Sequence, residues 1–100
     1  MKILFLGNSA TYVHDIPGTL ARLAGACGIG IETAQITPGG CTLAMHADAE
    51  TELGQRVLAA IGEGHDLVIL QDNGNCVSTP ERREACADAC RRLAAAIRAS

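Results

Sequence analysis

The segment KILFLGNSATYVHDIPGTL (residues 2–20) carries an apolar run into the corner Gly7, Asn8, Ser9. A serine in that position can cap a helix, help hold a phosphate through neighbouring N–H groups, or attack a carbonyl as a nucleophile. Nucleophilic use requires donors for the charge that develops on the carbonyl oxygen and a base for the hydroxyl proton. Donors are plentiful in TPGGCTL (37–43), with the backbone of Gly40, and in QDNGNC (71–76), with the amides of Gln71, Asn73 and Asn75. Bases are scarce. Of the three histidines, His14 sits beside Asp15 and reads as part of a loop or helix start, and His65 precedes the third apolar run, at the far end of any sheet. His46, six residues after Gly40, is the candidate for a binding role near the rim. Asp72 reads as a residue that hydrogen-bonds its own loop.

These residues need elements to position them. Residues 2–6 read as a short buried strand ending at Gly7. Asp15 and Pro17 mark the start of a helix with Leu20, Leu23, Ala24 and Cys27 on one face, ended by Gly28. Residues 30–36 give a second strand. Thr42 is a cap for a short helical turn, and a second helix spans about Ala49 to Ile61 before Gly62 and Gly64. Residues 66–71, DLVILQ, form the third strand, and Ser78 with Glu81 makes a capping box around Pro80 for a long helix towards Ala99. Strands alternating with helices predict one α/β domain over residues 1–100, a three-layer α/β/α sandwich. Its parallel sheet has the order 2-1-3. Open parallel sheets bind ligands beyond the carboxyl ends of their strands, where the three polar loops would meet.

The three loops together resemble blocks I, II and III of the SGNH hydrolase superfamily, the GDSL-like esterases and lipases. Gly7, Asn8 and Ser9 match the Gly-Asn-Ser form of the first block; Gly40, Cys41 and Thr42 fit the second. NGNC places Asn73, Gly74 and Asn75 in the third, with Cys76 where the family usually has Asp. LFLGNSATY, DIP and DLVILQ resemble the branch whose third strand ends in Leu-Gln. The resemblance implies a serine ester hydrolase with Ser9 as nucleophile. Its oxyanion hole would consist of the N–H groups of Ser9 and Gly40 and the Asn75 side chain; Gln71 and Asn73 are alternative amides in the same loop. Asn8, His46, Gln71 and Asn73 would be available to touch substrate, a small-molecule acyl or acetyl ester such as a carbohydrate acetate. The family's fourth element, Asp-x-x-His, does not occur in these 100 residues. The resemblance therefore implies the amino-terminal half of such a domain, inactive by itself for want of a general base.

Composition narrows the classes. Only 2% of residues are aromatic, Phe5 and Tyr12, so a core must come from Ala, Leu, Ile and Val. The net charge is −3, and the arginines of residues 82–98 are interleaved with Glu81, Glu84 and Asp88, which speaks against a nucleic-acid partner. No apolar run approaches membrane-spanning length. Five cysteines without CxxC spacing suggest a reducing, cytoplasmic setting. Cys86 and Cys90 have metal-ligand spacing on a helix, but the reading preferred is two small core residues, with no metal and no cofactor. Leu67 to Leu70 form an unbroken apolar run of a strand covered on both faces. In a three-stranded sheet that strand is an edge, so the expectation is either that the sequence is the front half of a larger domain, the reading preferred, or that the chain self-associates through strand three. Two other classes stay open: a flavodoxin-like phosphate- or nucleotide-binding module, which would lack the usual glycine fingerprints, and a non-catalytic fragment.

Overall fold

A computed structural model describes residues 1–100. The elements run β1 (Lys2–Leu6), α1 (Ser9–Tyr12), α2 (Ile16–Ala26), β2 (Glu32–Ile36), α3 (Leu43–Ala47), α4 (Glu52–Gly62), β3 (Leu67–Leu70) and α5 (Pro80–Arg98). The sheet is parallel with the order β2-β1-β3, as the alternation of elements implied. Leu4 of β1 stands opposite Ala34 of β2 and Val68 of β3.

Side chains alternate across a strand, so β1 feeds two layers. Leu4 and Leu6 are fully buried against Leu43 of α3, Val57 and Ile61 of α4, and Ala89 and Leu93 of α5. Ile3 and Phe5, also buried, point to the opposite face. The β1-to-β2 and β2-to-β3 crossovers run in opposite directions across the sheet. Right-handedness then puts α2 on one face and α4 on the other, and α5 joins the α4 side.

The second layer is thin. Of α2 only Pro17 is buried, and Leu23 is 63% exposed, so the apolar face expected along Leu20, Leu23, Ala24 and Cys27 is largely open to water. The expectation that β3 is covered on both faces is also corrected. Val68 and Leu70 pack against the core, but Leu67 is 47% exposed and the outer edge of β3 has no partner strand. No helix is long and apolar enough to cross a membrane.

Threonines set the helix starts. Thr42 Oγ1 accepts the Met45 N–H and opens α3 as expected. Thr51 Oγ1 accepts the Gly54 N–H, which moves the start of α4 from Ala49 to Glu52. The capping box expected from Ser78 and Glu81 is not formed: the cap is Thr79, whose Oγ1 accepts the Arg82 N–H, while Ser78 Oγ donates to the Asn75 carbonyl. Asp15 does cap α2, through Gly18, from a left-handed conformation with φ 48°. That conformation is costly for a residue with a Cβ. The strands are shorter than expected, β2 beginning at Glu32 and β3 ending at Leu70.

Unequal layers make unequal mutational costs. Leu4→Ala should lower the unfolding free energy by about 2–5 kcal/mol in a urea titration. Leu23→Ala should change it by about 0.5 kcal/mol or less.

Candidate functional site at the carboxyl ends of the strands

The corner after β1 is built around Asn8, which is 5% exposed. Its Oδ1 accepts the Ala10 N–H at 3.0 Å, capping the short α1. Its Nδ2 donates to the Cys41 carbonyl at 2.9 Å, and its backbone N–H donates to Gln71 Oε1 at 3.2 Å. One residue thus ties the loop after β1 to the loops after β2 and β3. Gln71 Oε1 also accepts the Thr11 hydroxyl at 2.9 Å, and its Nε2 donates to the Asp72 carbonyl. Gly7 lies under this arrangement; a Cβ there would collide with Thr11 Oγ1 and lie 2.8 Å from Gln71 Oε1. Only glycine leaves room for the tie.

Three of the residues expected near substrate therefore have other work. Asn8 and Gln71 have their side-chain polar atoms engaged within the protein. His46 is 1% exposed, and its Nε2 lies 2.8 Å from the Gly7 carbonyl. A carbonyl only accepts, so Nε2 carries the hydrogen, and Nδ1 is buried without a partner. His46 supports the corner from beneath and is no binding residue at the rim. Asp72, as expected, serves its loops: Oδ1 accepts the N–H of Leu43 at 3.2 Å and of Asn73 at 2.6 Å.

Ser9 is half-buried at the first position of α1. Its hydroxyl forms no hydrogen bond to a histidine, His14 being exposed beyond α1 and His65 lying at the other end of the sheet beside Lys2 and Glu32. The Ser9 and Gly40 N–H groups donate to no backbone carbonyl. Gly40 is exposed with φ 71°, a left-handed conformation that glycine adopts at no steric cost. It immediately precedes Cys41, whose carbonyl is held by Asn8, so the loops of Ser9 and Gly40 are fastened together.

Asn73 and Asn75 lie elsewhere on the rim. They line a cleft of about 270 Å³ together with Thr42, Asp72, Cys76 and Cys86, a cleft that neither Ser9 nor Gly40 lines. The Asn73 Oδ1 accepts the Asn75 N–H at 3.3 Å, and the exposed Asn75 amide stays free. Burial, then the charge of Asp72, raises the Cys41 thiol pKa. Cys86 is pushed up to about 12, first by its hydrogen bond to Asp72, then by burial and by Cys76. The reading of Cys86 and Cys90 as a core pair is corrected by half. Cys90 packs against the core, whereas Cys86 turns to Asp72 and Cys76.

The buried role of Asn8 has a measurable consequence. Asn8→Ala leaves the Cys41 carbonyl and the Ala10 N–H without their side-chain partner, and should cost about 1–3 kcal/mol in chemical denaturation. The amide resonances of Ala10 and of Thr42, whose peptide carries the Cys41 carbonyl, should shift together, since one side chain joins both.

No protein-family model and no curated protein matches the chain. Among solved structures it is similar to a chain described as "a putative SGNH hydrolase from Slackia heliotrinireducens", with 28% sequence identity and a TM-score of 0.66. The match covers 96% of this chain and 51% of that one, so the chain spans about half the length of the solved structure. The three-stranded parallel sheet with order 2-1-3 and its flanking helices therefore form an SGNH-hydrolase-like fold.

Proposed function

We propose that the chain carries the nucleophile side of an SGNH-type serine ester hydrolase centre, acting on acyl or acetyl esters. The observation that carries this reading is the corner itself. A half-exposed Ser9 stands at the carboxyl end of the central strand, and its N–H and that of Gly40 are unused by the backbone. In the reaction the Ser9 hydroxyl oxygen forms a bond to the ester carbonyl carbon, and the carbonyl oxygen gains negative charge. The Ser9 and Gly40 N–H groups receive that charge. The displaced alcohol leaves with a proton, and water later releases the acid from Ser9.

The proton transfers need a base that these residues do not supply. His46 is the histidine packed against the corner, and its Nε2–H is spent on the Gly7 carbonyl. Asn75 is a weaker candidate for the third donor than the two backbone groups, because it lines the neighbouring cleft. Carbohydrate acetates are the substrate class we favour by analogy, and a reducing cytoplasmic compartment agrees with five free cysteines.

Two measurements test the reading. Titration with acetate, the product of an acetyl ester, should shift the Ser9 and Gly40 amide resonances; shifts confined to other residues would remove the proposed oxyanion site. Hydrolysis of p-nitrophenyl acetate should be the same for the wild-type chain and Ser9→Ala, because loss of a triad base typically costs several orders of magnitude. Turnover abolished by Ser9→Ala would place a base within these 100 residues.

The open edge of β3, with Leu67 exposed, supports association of copies of the chain by strand addition. Sedimentation should show a mass that rises with concentration and falls for Leu67→Lys. A monomer at all concentrations would dispose of this reading.

A further inference from the structure

Asp72 and Cys76, four residues apart in the loop after β3, meet Cys86 in the second turn of α5. A carboxylate oxygen and the two Sγ atoms all lie within 4.8 Å of one another, and each residue is half-buried. Tetrahedral zinc with bonds of about 2.3 Å to sulfur separates its sulfurs by about 3.8 Å. A contraction of about 1 Å or less, within reach of small χ changes, brings the three atoms to ligand spacing.

The scaffold around them is already fixed. Asp72 Oδ1 is held by the Leu43 and Asn73 N–H groups, and the Cys76 N–H is held by the Asn73 carbonyl at 3.0 Å. Asp72 Oδ2 takes no backbone hydrogen bond. The cleft beside the cluster leaves room for a solvent molecule as fourth ligand, and Arg82 at its rim is directed to Ser78 Oγ. A carboxylate among two thiols is poor company for a purely apolar thiol pair, since its charge opposes ionisation of either sulfur. A dication satisfies all three groups at once.

We propose that Asp72, Cys76 and Cys86 form a binding site for a thiophilic divalent cation of the zinc class. Two sulfur donors and one carboxylate select zinc, cobalt or cadmium over magnesium or calcium. On binding, each thiol gives up its proton to solvent and forms a sulfur–metal bond, with no change of oxidation state. The bound ion would staple the 71–79 loop to α5. This site is independent of the Ser9 chemistry and stands or falls separately from it.

The test is titration of the reduced chain of residues 1–100 with Co²⁺ under anaerobic conditions. Sulfur-to-cobalt charge-transfer absorption should grow to one equivalent and vanish on adding Zn²⁺. Cys76→Ser and Cys86→Ser should each abolish it, Asp72→Asn should weaken affinity by at least about tenfold, and Cys27→Ser and Cys90→Ser should leave it unchanged. Absence of the absorption in the wild-type chain, or its persistence when Cys76 and Cys86 are both replaced, would overturn the proposal. The wild-type titration decides the matter even where a variant fails to fold, and circular dichroism of each variant identifies such a failure.

Discussion

The carbonyl and N–H groups at the end of β1 must be satisfied in a place too crowded for water, and the rest of the corner follows from that constraint. Gly7 gives its carbonyl to His46, Asn8 gives its N–H to Gln71, and the Asn8 side chain closes the circuit to Cys41. Unpaired buried polar groups cost more than paired ones gain, so removing one member strands its partners. The result is rigidity at the point where Ser9 begins α1. Ser9 therefore enters α1 from a fixed backbone position rather than from a loose turn.

This rigidity coexists with a lopsided core. One face of the sheet carries the contiguous cluster from Leu4 to Leu93, and the other has α2 with little of its surface buried. Hydrophobic stabilisation scales with apolar area removed from water, so the face with α4 and α5 holds the fold together. Leu23, Leu67 and Ile16 remain wet. The polar network and the apolar cluster meet at Leu6, Leu43 and His46, where the corner rests directly on the better-packed layer.

The sheet order was legible because apolar strands alternated with helix-length segments, and handedness leaves few topologies for that pattern. The Ser9 corner was legible because strand ends carried glycines and amides. What the sequence concealed was which polar residues face water. Asn8, Gln71 and His46 look like a substrate set by type, yet buried backbone groups claimed them first, and no spacing rule reports that. The α1 turn was missed because four residues carry too short a period. Thr79 displaced Ser78 as a cap because two hydroxyl residues in succession differ only in their distance from Pro80.

The loop after β3 shows how adjacent residues can serve different ends. Gln71 reaches inward to the Ser9 corner, whereas Asp72 reaches to α3 with one oxygen and lies against the thiols of Cys76 and Cys86. The peptide joining Gln71 to Asp72 cannot move for one network without moving for the other. Cys76 sets a thiol beside a carboxylate without touching the hydrogen bonds that fix Asn8. Ordering the thiol cluster would therefore restrict Asn73 and Asn75 through the short loop between Asp72 and Cys76, while Gln71 keeps the serine corner in place. Strain from one side reaches the other only through a segment already pinned at the Gln71 N–H by the Leu6 carbonyl and at the Asp72 carboxylate by the Leu43 N–H. That pinning is what allows two chemically different clusters to share six residues.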